Sequence, residues 1–417
     1  MDILNIIINE IFRQPAILLG IISCIGLILQ KKPMSDVIKG TMLTAIGVSI
    51  LTFGTNIIVS SILPIQGALT SVAAPTSSTE KIDILANYGG AIGIAMLLAF
   101  LINVCVARFT KIKHIFLTGH MLFWFPYVFT AVAVEAKMGY MGVIIFATIA
   151  SAIYFVVMPA LLSPFVFAVT KDKSFTLGHP AGFLALIAAI VAKYVGNKNH
   201  STEDLKIPTS LNFFREIAIT GSIVMFIVYI VVGIIFGKAA VLGNSDLSLP
   251  TFALTQAFMF GAGLTIMLSG VRMIIQNILP AFKGISDKIV PNAIPALDCP
   301  IIFNYKPNAV IIGFVVAMIV STITIILINK FGDIGFLLLP LVITSFFECG
   351  TAAVLAEGQG GLRGAIIGTA VAAVVMSFLL AISVGIFSNT IADWMMIFGG
   401  NDFSFFGYIG HIISKLF

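Results

Sequence analysis

The sequence predicts an all-α polytopic membrane protein, and three observations carry that prediction. The 417-residue chain is 59% hydrophobic and only 10% charged, where a soluble domain carries about 25% charged residues. Apolar runs of about 17–25 residues, each long enough to cross a ~30 Å bilayer core as a helix, recur along the whole length. Lysines and arginines gather between these runs, as in loops that set membrane topology. The net charge of +5 is therefore topology information, not a nucleic-acid footprint, and the expected surrounding is a lipid bilayer.

The runs place spans at about residues 15–30, 41–63, 89–107, 121–134, 140–168, 217–236, 251–276, 308–329, 334–347 and 364–388, which implies about 10–11 transmembrane helices. The first run is followed by Lys31 and Lys32 with no small-residue cleavage site, so it does not read as a signal peptide. Lys31, Lys32 and Lys39 follow the first span, Arg108, Lys111 and Lys113 the third, and Lys171 and Lys173 the fifth. Positive residues mark the cytoplasmic side, so the amino terminus and the Thr/Ser-rich stretch from Pro75 to Lys81 lie outside. Glu135 and Lys137 fall in a solvated outer loop, and Arg272 snorkels to the interface from the end of a span.

Four stretches interrupt this pattern, at about residues 112–123, 174–183, 290–308 and 346–363. The second follows from a conflict of charge. Lys171 and Lys173 lie inside, and so does the charged loop 193–216, so the segment 174–192 cannot cross once. It dips in and returns, and Gly178, Pro180 and Gly182 in "SFTLGHPAGF" suit such a turn. Non-helical backbone at membrane depth survives only where protein or a water-filled cavity satisfies it. The first break, "IKHIFLTGHMLF", carries His120, and the third, "VPNAIPALDCPIIFNYKPNAV", carries Asp298. These two residues stand 178 positions apart, a little under half the chain. Broken segments at corresponding places in two halves point to a transporter's central site. The fourth, "FFECGTAAVLAEGQGGLRGA", puts Glu348 and Glu357 near a Gly-rich break.

An ionisable residue inside a membrane costs at least ~2.5–3.5 kcal/mol, so it faces a cavity or a partner. Asp298 is a candidate for substrate or ion contact; otherwise it caps a broken helix end. His120 and His179 are candidates for substrate contact, or else bond a nearby backbone carbonyl. Glu348 faces substrate, couples protons or pairs with Arg363. Walker A, GxGxxG-after-strand and HExxH patterns are absent. "GQGGLRG" lacks the Lys-Ser/Thr ending of a phosphate loop. With no means of hydrolysing ATP, the chain must draw on an ion gradient, a partner protein or the substrate's own gradient. The four cysteines, Cys24, Cys105, Cys299 and Cys349, have apolar surroundings and no metal-binding spacing, and no cofactor or metal is implied.

Several blocks occur in a familiar order: "IKGTML", "FLTGHMLF", "LGHPAGF", "STEDLKIPTSLNFF", "GVRMII", "AFKGISDKIVPNAIPALDC", "KPNAVIIGF" and "GGLRGA". Together they resemble the membrane subunit (IIC) of the ascorbate-type permeases of the phosphoenolpyruvate-dependent phosphotransferase system, over about residues 15–390. The resemblance implies one transport domain over residues 1–417, with scaffold and core parts interleaved and with inverted repeats. It also implies a homodimer in the bacterial cytoplasmic (inner) membrane and an elevator-like movement of the core. The sugar would be phosphorylated by a phosphocysteine on a separate IIB protein, itself recharged by IIA, so phosphoryl transfer is not this chain's own catalysis. That agrees with the cysteines, none of which sits in the polar exposed loop a phospho-accepting thiol needs.

Carried over by motif, the family's substrate-contacting histidines match His120 and His179, its acidic ligand Asp298, and a small polar contact Thr55 in "FGTN". Trp124 and Pro180 stand where the ascorbate permeases carry glutamines, and Glu348 where a small polar residue is expected. Two amides are lost while an aromatic face and a carboxylate are gained, and an added acid disfavours the ascorbate anion. The expected substrate is a small carbohydrate, ascorbate-like or a polyol or pentose. The rivals are an ion-coupled secondary transporter using Asp298 or Glu348, and an intramembrane enzyme or scaffold.

Overall fold

Why so apolar a chain holds one arrangement is answered first by its small residues. The computed structural model describes residues 11, 14–70, 81–205, 216–332, 334 and 337–415. The Thr/Ser-rich outer stretch up to residue 80 and the part of the charged loop with Lys206 and Arg215 lie outside the described residues.

In chain order the elements are α1 (Pro15–Leu29), α2 (Met34–Thr70), α3 (Ile84–Phe109), β1 (His114–Phe116), α4 (Gly119–Glu135), α5 (Tyr140–Thr170), β2 (Thr176–Leu177) and α6 (Gly182–Val195). There follow α7 (Ile217–Phe236), α8 (Lys238–Leu242), α9 (Leu249–Lys288), β3 (Ile294–Leu297), α10 (Pro300–Phe303), α11 (Pro307–Phe331), α12 (Val342–Ile386), α13 (Ala392–Phe398) and α14 (Asp402–Ser414). Six of these, α2, α3, α5, α9, α11 and α12, are long and apolar enough to cross a membrane. The protein is all-α and polytopic, with one small sheet inside it.

With lipid outside, apolar side chains gain little by meeting each other, so close backbone approach decides which helices pair. Ala188, Ala192 and Gly196 of the α6 seam face Gly368, Gly364 and Gly360 of α12 at four-residue spacing. A Cβ at Gly368 would lie 2.5 Å from the Ala188 carbonyl oxygen, and one at Gly360 2.5 Å from that of Ala192. A second seam joins α2 to α9, where Gly54 and Gly263 abut at the same range.

Helix α12 is two arms, residues 342–359 and 362–386, broken at Gly360 (φ −142°, ψ 18°) and Gly361 (φ 59°, ψ −157°). The positive φ favours glycine, and a Cβ at Gly361 would meet the Asn197 and His200 carbonyl oxygens at 2.3 Å. Beside the break, Lys306 Nζ reaches Glu357 Oε1 at 3.1 Å, and the Ser201 hydroxyl donates to the same oxygen at 2.6 Å. These contacts tie the loop after α6 to the start of α11.

The three strands form one parallel sheet in the order β1-β3-β2, with His114 opposite Ile294 and Leu177 opposite Leu297. Each strand follows a basic loop, so all three segments enter from the same, lysine-rich end. The segments carrying His120 and Asp298 therefore run parallel, whereas a twofold axis in the membrane plane would set them antiparallel. The inverted relation lies elsewhere. The series α3, extended 114–118, α4, α5, then the dip 174–195 recurs as α11, the non-helical 337–341, the two arms of α12, then the dip 387–414 from the opposite end. That far end is marked by Glu135, which accepts bonds from the Asn389 N–H and the Thr390 hydroxyl, and by the Lys81–Asp393 pair at 2.6 Å. In this series His179 corresponds to Asp402, 223 positions later.

Two expectations need correction. The run 334–347 is not a span: residues 337–341, Pro340 among them, lie outside any helix, Leu341 is extended, and the helix begins at Val342. A continuous apolar run has no periodicity to separate an extended lead-in from a helix. Glu348 does not stand at a break but inside the unbroken first arm, and its partner is Asn401, not Arg363.

Candidate functional site

Each broken segment delivers one side chain to the same place. β1 ends at Phe116, and the turn at Leu117–Thr118 starts α4, setting His120 in its first turn. β2 ends at Leu177; the Gly178 N–H donates to the Leu297 carbonyl at 2.8 Å, and the chain turns through His179 and Pro180 into α6. β3 ends at Leu297, and Asp298 precedes α10, accepting the Cys299 N–H at 2.7 Å. Sheet pairing thus fixes the register of three residues that are far apart in sequence.

The His179 turn is also held by α5 and by the dip that enters from the far end. The Phe183 N–H donates to Asp402 Oδ1 at 2.7 Å, and the Asp402 N–H to the Pro180 carbonyl at 3.0 Å. The buried Tyr154 hydroxyl lies 2.9 Å from the His179 carbonyl oxygen and 2.6 Å from Asp402 Oδ2. The rings of Phe183 and Phe405 stack at 3.6 Å. The two dips therefore meet tip to tip.

His120 Nε2 lies 3.7 Å from Asp298 Oδ2, and His179 Nε2 lies 3.6 Å from Asp298 Oδ1. One ligand atom from each of the three sits within 4.8 Å of the others, a spacing that would accept one small cation or neighbouring hydroxyls of one ligand. Hydroxyls suit it because each both donates and accepts, as imidazole and carboxylate require. A cavity of about 350 Å³ opens beside the three, and Thr55, His120, Trp124, His179, Asp298 and Glu348 all line it. The six candidate substrate-contacting residues thus reach one cavity, Thr55 from α2 and Glu348 from the first arm of α12, whereas Glu357 lies elsewhere, with Lys306 and Ser201.

One wall is aromatic: the rings of Trp124 and Trp394 lie 5.3 Å apart, and Tyr127, outside the lining, packs 5.3 Å from Trp124. Three buried polar atoms of lining residues, Thr55 Oγ1, Thr118 Oγ1 and Glu348 Oε2, have no hydrogen-bond partner among the described residues. Sequence reasoning missed Trp394, Asn401 and Asp402. A signal was present, since "GGNDFSFF" puts an acid among aromatics, which in a membrane chain marks a site or a partner.

Opposed dips that bring ionisable side chains from separate half-helices to one largely apolar cavity are the arrangement of a membrane transporter's central site. The chain matches the family of PTS system sugar-specific permease components (EIIC-GAT) over residues 10–402, and it belongs to that family. It is similar to the ascorbate-specific PTS system EIIC component of Mycoplasma pneumoniae, with 25% identity over 425 aligned positions. That alignment covers 88% of this chain but 64% of the relative, so the chain spans less than two thirds of that protein's length. Family and apolar helices together make it a multi-pass protein of the bacterial inner membrane.

Proposed function

We propose that this chain is the sugar-translocating permease subunit of a phosphotransferase system. It carries a small carbohydrate, ascorbate-like or a polyol or pentose, from the far end to the lysine-rich, cytoplasmic end. The observation that supports this is the convergence of His120, His179 and Asp298 from three separate broken segments onto one cavity. In this reading the two imidazoles and the carboxylate hold substrate hydroxyls, Thr55 and Glu348 add polar contacts, and Trp124 offers a ring face to the apolar side of the sugar.

Phosphorylation takes place on a separate IIB protein recharged by IIA. The S–P bond of its phosphocysteine breaks, an O–P bond forms at a substrate hydroxyl, that hydroxyl loses its proton, and thiolate leaves. Cys299 and Cys349 are buried, Cys24 is half-buried, and Cys105 lies exposed on membrane-facing α3, so none offers an aqueous thiol for that step. The whole chain acts as one transport domain of interleaved scaffold and core, working as a homodimer with an elevator movement of the core.

The test is uptake by membrane vesicles holding this chain, supplied with the phosphotransferase proteins. Accumulation of phosphorylated sugar that depends on phosphoenolpyruvate is expected. Uptake of unmodified substrate abolished by a protonophore would replace this reading with ion-coupled transport.

A further inference from the structure

Helix α4 opens onto the cavity with its first donors free. Leu117, Thr118, Gly119 and His120 all line the cavity. The first four N–H groups of a helix have no partner inside it, and an N-cap threonine ordinarily accepts one of them with its hydroxyl. Thr118 is the N-cap of α4, yet its side chain makes no such bond. Its carbonyl, not its hydroxyl, accepts the Met121 and Leu122 N–H groups, at 2.9 and 3.0 Å. Thr118 is 3% exposed, and its Oγ1 has no partner among the described residues. The Gly119 and His120 N–H groups likewise have no acceptor there. Neighbouring helix starts differ. In α6 the Ala181 N–H meets His179 Nδ1 at 3.3 Å and the Phe183 N–H meets Asp402 Oδ1 at 2.7 Å. The first arm of α12 starts behind Leu341, which has no hydroxyl, and the Thr344 hydroxyl is committed to the Gly399 carbonyl at 3.2 Å.

We infer that the start of α4 is a binding subsite for a substrate oxygen that brings no proton of its own, a carbonyl or enolate oxygen, held by the Thr118 hydroxyl and the Gly119 and His120 N–H groups. All three groups donate, and the two main-chain ones can do nothing else. A carbonyl or enolate oxygen offers only lone pairs, whereas a hydroxyl placed there needs an acceptor for its own proton as well. The helix dipole adds partial positive charge at this end, which favours an oxygen that carries negative charge. Half-helix starts hold anionic groups of the substrate in this way in other membrane carriers. Donors left open in a lipid-surrounded site cost free energy, so a ligand atom that meets several at once gains from each. His120, His179 and Asp298 then take the neighbouring hydroxyls, which both donate and accept.

This inference rests on the permease reading, and one titration tests it while keeping the two apart. The chain has two tryptophans, Trp124 and Trp394, and both line the cavity. Intrinsic fluorescence of the purified full-length protein in detergent therefore reports on this site. The probes at neutral pH are ascorbate, which has an enolate oxygen, xylulose, which has a ketone, and xylitol, the same carbon chain as xylulose with hydroxyls alone. They are titrated into the natural chain, Thr118→Val and Thr118→Ser. Valine keeps the shape and removes the hydroxyl, and serine restores it. The natural chain is expected to bind ascorbate or xylulose at least about tenfold more tightly than xylitol. Thr118→Val is expected to weaken that tighter binding about tenfold, and Thr118→Ser to stay within about threefold of the natural chain. Because the Thr118 side chain makes no cap bond, Thr118→Val is expected to unfold at the same point as the natural chain in an SDS titration.

Xylitol bound as tightly as the better of the other two, or affinities unchanged in Thr118→Val, would overturn the inference and leave the permease reading standing. Earlier unfolding or misfolding of Thr118→Val, restored by Thr118→Ser, would make the hydroxyl a helix cap and overturn it as well. A natural chain that binds none of the three compounds overturns the inference, while the vesicle assay decides the permease reading separately. Ascorbate or xylulose bound through Thr118 but taken up unphosphorylated overturns the permease reading only.

Discussion

The two dips that meet at the cavity occupy equivalent places in the inverted series, yet they are held by different means. The dip from the lysine-rich end, residues 174–195, is fixed by backbone: β2 pairs with β3, and Gly178 continues the ladder. The dip from the far end has no strand among the described residues. Side chains hold it instead. Asn401 Oδ1 accepts the Phe403 N–H and its amide bonds Glu348; Ser404 accepts the Gly400 N–H and bonds Ser383; Asp402 reaches across to the other tip. A backbone ladder tolerates many side chains but no crowding, whereas a side-chain network fails when one member is removed.

That contrast can be broken or sharpened by substitution, beginning where the effect is largest. Asp402→Ala removes the acceptor of the Phe183 N–H and a partner of the Tyr154 hydroxyl in a buried, lipid-surrounded site. A loss of about 2–4 kcal/mol is expected, read as unfolding by SDS titration in mixed micelles. A loss under ~1 kcal/mol would mean that the two tips stand independently. Gly178→Ala tests the other tip, because a Cβ there would lie 2.8 Å from the Phe116 ring and 3.2 Å from Ala296 Cβ. About 1–3 kcal/mol is expected from the overpacking, together with weaker ligand binding as His179 shifts.

Asn401→Ala deprives α14 of its cap and Glu348 Oε1 of its donor. A cost of about 1–2 kcal/mol is expected in the same titration. Thr176→Val should be mildest. It removes one hydrogen bond, from Thr176 to the Pro159 carbonyl at 3.1 Å, and leaves the strand pairing intact, for ~0.5–1 kcal/mol. If Thr176→Val cost as much as Asn401→Ala, the division between backbone-held and side-chain-held tips would not stand.

The same contrast explains what was legible in the sequence. The near dip could be read from charge, because Lys171, Lys173 and the loop after 193 forced both its ends to one side. His120, His179 and Asp298 could be read because ionisable residues stand out in apolar chain. The far dip has little charge around it: Lys81 and Asp393 pair with each other across 312 positions, and sequence order conceals such a pair. Asp402 was there to be noticed, but its partner, the Phe183 N–H, is a main-chain group that carries no sequence signal. The sheet was illegible for a different reason. Its strands are 3, 2 and 4 residues long, too short for alternation to register, and only folding brings them side by side. The correspondence between halves was misplaced because His120 and Asp298 were matched by chemistry, while the repeat is one of element order and direction.

One consequence follows from the three parallel strands. About five extended residues separate each basic loop from its site residue, which at ~3.3 Å per residue puts the cavity ~16 Å below the lysine-rich surface. That is roughly half the thickness of the hydrocarbon core. A cysteine side chain spans only a few ångströms, and the folded protein bearing it is far wider than a channel among packed helices. A docked phosphate donor and a sugar at this depth are thus out of each other's reach. If phosphorylation is the way the sugar leaves, either the strand-linked cradle travels toward the donor, as the proposed elevator movement has it, or the sugar must quit the cavity before it meets the phosphate.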